Sequence, residues 1–173
     1  MKENKIALDI IEKRMMNQMS AYENLKLSGL ELPIASKDSK TIAIVKRFGN
    51  RFLYISGMGP VWNGNQTHRG RVPSTVSVED AQEAAKKCAL NILAALEKEV
   101  KDLDMIKTIV KLLVFVASDQ DFNQQHIVAN GASNVFISVF GEECGKAARS
   151  AVGVAELPLG FPVEVEVLVE LKE

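Results

Sequence analysis

The chain has 173 residues, of which 47% are hydrophobic, and a formal net charge of −1. This length and composition predict one ordinary domain with a hydrophobic core. The balanced charge, without a basic run, disfavours nucleic acid as a partner. No apolar run approaches the ~20 residues of a membrane span and the N-terminus lacks a signal-peptide pattern, so we expect a cytoplasmic protein with no membrane partner.

The metal-ligating and redox-active residue types predict neither a cofactor nor a metal. Cys88 and Cys144 are the two cysteines of the chain, and they do not form a CxxC pair. His126 has no second ligand one helical turn further along. We therefore expect two free thiols and neither a disulfide framework nor a zinc site.

The first 18 residues mix charged and apolar side chains. We interpret 1–18 as an N-terminal extension to a single domain over 19–173. Ser20 has the residue type of a helix N-cap. A short helix from Tyr22 to Ser28 is predicted to follow it and to end at Gly29.

A hairpin comes next. Thr41–Phe48 and Phe52–Ser56 are β-branched and aromatic runs, and Gly49-Asn50 between them tolerates the positive φ of a tight turn. The following stretch, Gly57–Val76, has the composition of a long loop, and loops of this length are often functional. Its aromatic and cationic side chains could cover an anionic ligand, with a solvated loop as the alternative; they are Trp62, His68, Arg69 and Arg71.

The remaining chain contains two helix patterns and three strand patterns. Ser77 and Asp80 resemble a capping box, and apolar residues then repeat at helical spacing to about Val100. The apolar run from Met105 to Ala117 predicts a central strand buried on both faces. The last elements have the predicted bounds Asp121–Phe140 (a helix ended by Gly141), Arg149–Ala155 and Val163–Leu171 (two strands).

The order ββαβαββ predicts an α+β fold in which two helices cover one face of a mixed sheet. On the last strand, valines point one way, whereas Glu164, Glu166, Leu168 and Glu170 point the other. The second face of the sheet is therefore partly polar. A partner subunit could cover it, and clefts between subunits are common ligand sites.

Arg149 is the most informative single residue. It stands in an otherwise small and apolar strand, A-R-S-A-V-G-V-A, which is followed by E-L-P-L-G-F-P-V-E-V-E. A guanidinium keeps its charge when it loses water, so we expect an anion beside it. That anion is either a ligand carboxylate or phosphate, or a structural partner such as Glu164 or Glu166 on an adjacent strand.

This C-terminal stretch is one of several that together resemble one family. The others are G-N...L-Y-I-S-G at the hairpin and V-S-V-E-D-A-Q-E-A-A...A-L-N-I-L-A-A-L in the long helix. From about residue 20 to the C-terminus, the chain resembles the YjgF-like or Rid family of reactive intermediate deaminases. The segment V-A-N-G-A-S-N-V-F-I-S-V-F-G resembles a branch with a longer N-terminus.

The resemblance implies a chorismate-mutase-like fold, a homotrimer and sites at the subunit interfaces. It also implies hydrolysis of enamines and imines, such as 2-aminoacrylate, to 2-keto acids and ammonia. In this sequence the family pattern places Arg149 at the substrate carboxylate and Glu164 at the attacking water. It places Pro158, Ser150 and Gly57 around the substrate.

Two departures from the family pattern leave alternatives open. Thr41 or Ile42 stands where deaminases of the family carry a pocket tyrosine, and Met58 stands where S-G-Q-x-P has glutamine. The first alternative is a non-catalytic trimer that binds small carboxylate metabolites. The second is a structural or chaperone-like protein that acts through its exposed surface.

Overall fold

The computed structural model describes residues 19–173, so the predicted N-terminal extension at 1–18 lies outside the described residues. In chain order, the helices and strands are α1 Ala21–Leu27, β1 Val45–Phe48, β2 Phe52–Met58, β3 Val61–Trp62, β4 Asn65–Gln66, α2 Val78–Val100, β5 Ile106–Ala117, α3 Gln125–Val128, α4 Asn130–Gly145, β6 Ala148–Val154 and β7 Val163–Leu171. Two short 3-10 turns precede β5 and β7, at Leu103–Met105 and Pro158–Gly160.

Five of the strands form a mixed sheet in the order β1-β2-β7-β5-β6. Its neighbouring strands are antiparallel except β5 and β6, which run parallel because α3 and α4 connect them as a crossover. Helix α2 packs against β7 and β2, α4 packs against β5 and α2, and α1 packs against α4. This arrangement confirms the predicted α+β class, with helices on one face of a mixed sheet.

Local side-chain chemistry explains where the two best-defined helices begin. Ser20 and Glu23 form a capping box at the start of α1. At α2, the Ser77 hydroxyl accepts a hydrogen bond from the Asp80 N–H and donates one to the Asp80 carboxylate. The buried face of α2 consists largely of small and aliphatic side chains: Ala81, Ala84, Ala85, Cys88, Ala89, Ile92, Leu93 and Leu96.

The alternation predicted for the last strand is confirmed. The β7 valines at 163, 165, 167 and 169 are buried against the helices, whereas the residues between them are half-buried on the opposite face. We call that opposite side of the sheet the open face. The interior strand β5 differs from its prediction, because Lys107, Leu113 and Phe115 also lie on or near the open face and are not buried.

Several element bounds differ from the sequence prediction. Helix α4 runs past the predicted end at Gly141 to Gly145, across a kink at Gly141. Strand β1 begins at Val45 rather than at Thr41, because the Asp38 carboxylate accepts the Ile44 N–H and holds a turn there. The second long helix begins at Gln125 rather than at Asp121, which has a φ of 69°. The predicted loop after β2 contains the small hairpin β3–β4.

Within residues 19–173, no helix combines the length and apolarity needed to cross a membrane. Cys88 is fully buried in the core, where its thiol donates to the Val163 carbonyl, and burial raises its pKa well above the ordinary value. Cys144 is half-buried, and both thiols are free.

Candidate functional site

Arg149 lies on edge strand β6 and points toward the helices. Its Nη1 donates to Asn130 Oδ1 at 2.9 Å and to Ser133 Oγ at 2.8 Å, and its Nη2 donates to the His126 carbonyl at 3.1 Å. All three acceptors are neutral. Of the five N–H groups of a guanidinium, these bonds use three, which leaves two for a ligand.

The charge of Arg149 is not neutralised within the described part of the chain. Among residues 19–173, no carboxylate lies within salt-bridge distance of its guanidinium. Partial burial lowers its pKa, although an arginine stays protonated at any physiological pH. Beside it lies a cavity of about 400 Å³, lined by Asn130, Ser133, Asn134, Ile137, Lys146, Ala147 and Arg149.

Glu164 and Gly57 come together on the open face. A Cβ atom built on Gly57 would overlap the Glu164 carboxylate, so the glycine leaves the space that this side chain occupies. A register shift in the pairing of β2 with β7 lies at the same place. Burial raises the pKa of Glu164, and the negative charge of Glu166 raises it further.

Glu166 and Ser150 extend the polar part of the open face. The Tyr54 hydroxyl donates to the Glu166 carboxylate at 2.7 Å, and this bond raises the pKa of the phenol. The Lys111 ammonium donates to Ser150 Oγ at 2.7 Å. The open face therefore carries a carboxylate pair, 164 and 166, with a phenol bonded to one member.

The strand register separates Arg149 from Glu164 within one protomer. Arg149 is paired with Leu112, whose side chain is buried on the helix side, whereas Glu164 is paired with Phe115 on the open face. Strands β6 and β7 are also two strand spacings apart, about 10 Å. The alternative of a structural ion pair between Arg149 and Glu164 or Glu166 is thus wrong for a single protomer.

Pro158 lies beyond the far end of β6. It begins the 3-10 turn that follows the strand, and the whole of β6 separates it from Arg149. The five residue-to-residue steps from 149 to 154 already span roughly 17 Å of extended chain. Within one protomer the predicted site residues therefore form three groups: Arg149; Gly57, Glu164 and Ser150 on the open face; and Pro158.

The predicted cover loop, Gly57–Val76, is held in place by contacts with other parts of the domain. Arg71 forms ion pairs with Asp119 and Glu156 and donates to the Ala155 and Ser118 carbonyls. The Lys87 ammonium lies 4.1 Å from the Trp62 ring centroid, a cation–π contact. Arg71 thus ties the loop to the ends of β5 and β6 and is not available to an anionic ligand.

Sequence reasoning missed the residues that hold Arg149. Asn130 and Ser133 are one helical turn apart on α4, in a segment that was predicted to be helical and to resemble the family but was given no site residue. Their spacing places both on one helix face, and a half-buried arginine needs acceptors, so the pair was detectable in principle. Lys146 was also missed. Among residues 19–173 no His, Cys, Asp and Glu cluster has a metal-binding arrangement.

Residues 42–171 match the protein family described as Endoribonuclease L-PSP. The chain belongs to this family. Protein TCP17 of Trypanosoma cruzi is 42% identical over 148 residues, which are 86% of this chain and 92% of that protein. The mitochondrial protein MMF1 of Saccharomyces cerevisiae is 31% identical over 121 residues, 69% of this chain and 68% of that protein.

The crystal structure of Atu1372 from Agrobacterium tumefaciens, a protein of unknown function, is 38% identical to this chain and has a TM-score of 0.82. The match covers 95% of this chain and 99% of that one. The YjgF-like family predicted from the sequence motifs is thereby confirmed. Membership in the L-PSP family supports a deaminase or small-molecule-binding role.

Proposed function

We propose that this protein binds small carboxylates through Arg149 and hydrolyses reactive enamine and imine intermediates of the 2-aminoacrylate type. The observation that carries the proposal is the state of Arg149. Within residues 19–173 it is half-buried and bonded only to neutral acceptors, and these bonds leave two of its N–H groups for a ligand in the adjacent cavity. A planar guanidinium with two free N–H groups suits a carboxylate well.

The reaction needs one water and one group that moves protons. The enamine tautomerises to the imine, and water attacks the imine carbon while the Glu164 carboxylate takes a proton from it. Glu164 returns this proton to the imine nitrogen, which gives a neutral carbinolamine. Glu164 then moves the hydroxyl proton to the amino nitrogen, and the C–N bond breaks as the carbonyl forms, so the products are a 2-keto acid and ammonia.

The raised pKa of Glu164 suits this role, because a more basic carboxylate accepts a proton from water more readily. Arg149 would hold the substrate carboxylate and stabilise negative charge near the reacting carbon. Gly57 gives the Glu164 carboxylate its space. Ser150 and Pro158 remain proposed substrate-binding residues.

A site that uses both Arg149 and Glu164 requires more than one copy of the chain. The two residues lie on opposite faces of the sheet in one protomer. We therefore place the site between subunits of a homotrimer, where edge strand β6 of one copy approaches the open face of the next. A cyclic homotrimer has three identical interfaces, so it would contain three such sites, one at each interface.

The second candidate is a non-catalytic trimer that binds small carboxylates. Thr41 or Ile42 stands at the position of the family's pocket tyrosine, and both residues are exposed ahead of β1; Met58 stands at the position of the family's glutamine. Tyr54 is bonded to Glu166 rather than placed at Arg149. In this candidate Arg149 still binds the ligand carboxylate, a contact that we call the Arg149 clamp, but the protein does not turn the ligand over.

RNA cleavage, which the description of the family names, is not our proposal for this chain. The formal net charge is −1, and electrostatic attraction to phosphates requires basic surface. A cytoplasmic location and a single domain over 19–173 remain predictions that accompany the proposed activity.

The test compares wild type with Arg149→Ala and Arg149→Lys while 2-aminoacrylate is generated in situ from serine by a dehydratase. We expect wild type to accelerate loss of the imine beyond spontaneous hydrolysis and Arg149→Ala to lose at least about 100-fold in kcat/KM. Arg149→Lys should retain only part of the wild-type kcat/KM, because an ammonium lacks the planar pair of N–H donors of a guanidinium.

Arg47→Ala is the matched control, because Arg47 is exposed and only 3.8 Å from Glu99 in a surface ion pair. It should be as active as wild type. No acceleration by wild type, together with thermal stabilisation by 2-keto acids that Arg149→Ala abolishes, favours the non-catalytic candidate. Stabilisation by 2-keto acids that persists in Arg149→Ala contradicts both.

A further inference from the structure

The cavity beside Arg149 contains a second cation, Lys146. Both side chains line the same space of about 400 Å³. Lys146 directly follows helix α4, and Arg149 is the second residue of β6, so a short stretch of backbone fixes their relative position.

Neither cation has an acidic partner in the described part of the chain. Among residues 19–173, no carboxylate lies within 4.0 Å of either the Lys146 ammonium or the Arg149 guanidinium. Two like charges that share a cavity without counter-charges favour an anionic occupant. A single carboxylate on Arg149 would leave the charge of Lys146 unmatched.

The rest of the lining indicates how two anionic groups would be connected. Ile137 and Ala147 give the cavity an apolar wall, and Asn134 adds an amide. An apolar wall in a cavity that two cations share suits a short methylene chain with a carboxylate at each end. A phosphate, whose charge is concentrated on one group, would not use that wall.

We propose that the preferred ligand is a dicarboxylate, whose 2-keto or 2-imino carboxylate binds Arg149 while its distal carboxylate is held by Lys146. This inference rests on the proposed function and names its substrate class. Lys146 is then a specificity-determining residue. It has no part in the chemical step.

The experiment measures binding of two product-type probes by calorimetry. The probes are 2-oxoglutarate and 2-oxopentanoate, which have the same carbon chain and differ in the terminal carboxylate. For wild type we expect about fivefold tighter binding of 2-oxoglutarate, the size of a favourable but partly solvated ion pair. Added salt should reduce this ratio, because the distal pair is screened.

Lys146→Met should bring the ratio to about one, and Lys146→Glu should invert it in favour of 2-oxopentanoate. Exposed Lys37, which does not line the cavity, provides the control variant Lys37→Met, whose affinity ratio should equal that of wild type. Circular dichroism and thermal unfolding confirm that each variant is folded.

Equal affinities in wild type, or a preference that survives in Lys146→Met, overturn the dicarboxylate proposal and leave the Arg149 clamp intact. Arg149→Ala separates the two proposals. If it binds both probes as wild type does, the clamp itself is wrong and the dicarboxylate proposal falls with it. If Arg149→Ala binds both probes more weakly than wild type does, carboxylate binding by Arg149 is supported. The ratio of the two affinities in wild type and in Lys146→Met then decides the dicarboxylate proposal.

Discussion

Glu164, the proposed general base, has an environment that lowers stability when the carboxylate is ionised. Its carboxylate is half-buried beside Gly57, and among residues 19–173 no hydrogen-bond donor reaches it. Burial first, and then the charge of Glu166, raise its pKa. The folded protein therefore favours the neutral form of this side chain, whereas a general base must be ionised.

Glu164→Gln should stabilise the protein at neutral and alkaline pH and abolish turnover. A raised pKa means that the folded state holds the proton more tightly, so the stabilising contribution is complete below the unfolded pKa of about 4.5 and is lost as pH rises through the folded pKa. Glutamine mimics the neutral form at every pH. We expect a gain of about 1 kcal/mol at alkaline pH and almost none near pH 4.

Urea unfolding across this pH range, at fixed protein concentration, measures the gain. Exposed Glu143→Gln is the control and should show no comparable pH-dependent gain. In wild type, kcat should rise with pH as Glu164 ionises. A Glu164→Gln enzyme that retains wild-type turnover would remove this residue from the mechanism.

Sequence reasoning reached Arg149 and Glu164 as residues but not their surroundings. The need of Arg149 for partners follows from its chemistry, and the valine–glutamate alternation predicts the face of Glu164. The partners Asn130 and Ser133 depend on how α4 lies over β6, which no local pattern contains. Tertiary packing therefore decides between a ligand clamp and an ion pair.

At the scale of elements, the contact between α2 and α4 positions the Arg149 cavity. Gly131 lies so close to the Gln82 backbone carbonyl that a Cβ atom there would overlap it. The Gln82 side chain also donates to the Ile127 carbonyl at 2.9 Å. Asn130 and Ser133 flank this contact, so the helix separation fixes where they meet Arg149.

Gly131→Ala should therefore damage both stability and ligand binding. The added methyl group meets backbone, which cannot rotate away, so the helices must separate at a cost of about 1–3 kcal/mol. Asn130 and Ser133 move with α4, and the affinity for 2-oxopentanoate should fall severalfold. Urea unfolding and calorimetry measure the two effects.

Ser138→Ala, on the same helix, is the control and should change stability by less than about 0.5 kcal/mol. If Gly131→Ala leaves both the free energy of unfolding and the affinity for 2-oxopentanoate unchanged, the two helices tolerate a wider separation. The position of Asn130 and Ser133 would then depend on other contacts.

The elements that could be predicted best are those with local signals. Ser77 with Asp80 predicted the start of α2, and Gly49-Asn50 predicted the first hairpin. Prediction failed at Asp121, where a left-handed residue delays the helix until Gln125. A polar residue in that conformation depends on the following turn, and hydrophobic periodicity does not report it.

At the scale of the whole molecule, the open face of a single protomer carries apolar side chains that are not buried. Leu113 and Phe115 are only half-buried on it, and Val152 is 40% exposed. Its charges are partly paired, as in the contact of Lys107 with Glu170 at 3.1 Å. Neighbouring apolar side chains that stay exposed and are rimmed by polar residues mark an interaction surface, so the open face suits the proposed contact between subunits.

The sequence predicted this two-faced sheet but not its strand order, and the difference matters for the site. Alternation on β7 is a local pattern, whereas the placement of β5 between β7 and β6 is a property of the assembled sheet. That placement and its register put Arg149 and Glu164 on opposite faces. For the proposed site, which uses both residues, the topology requires a second subunit, and the family resemblance implies the same.

Val152→Glu tests that requirement directly. A carboxylate in the middle of the proposed interface, near Glu164 and Glu166, would be buried among like charges, so the trimer should dissociate to monomers. Sedimentation measures the assembly, and imine hydrolysis should fall to the spontaneous rate. Leu27→Glu, at a position 71% exposed on α1, should remain trimeric and active.

The two readouts together decide whether assembly and catalysis are coupled. Arg149 and its cavity lie on the helix side of β6, so the substitution leaves the clamp itself in place. Loss of turnover in a folded monomer would then arise from separation of Arg149 from the Glu164 of a neighbouring copy. A Val152→Glu monomer that still hydrolyses imines, or an active wild type that sediments as a monomer, would contradict the proposed site between subunits. Each protomer would then catalyse without the Glu164 of a neighbouring copy.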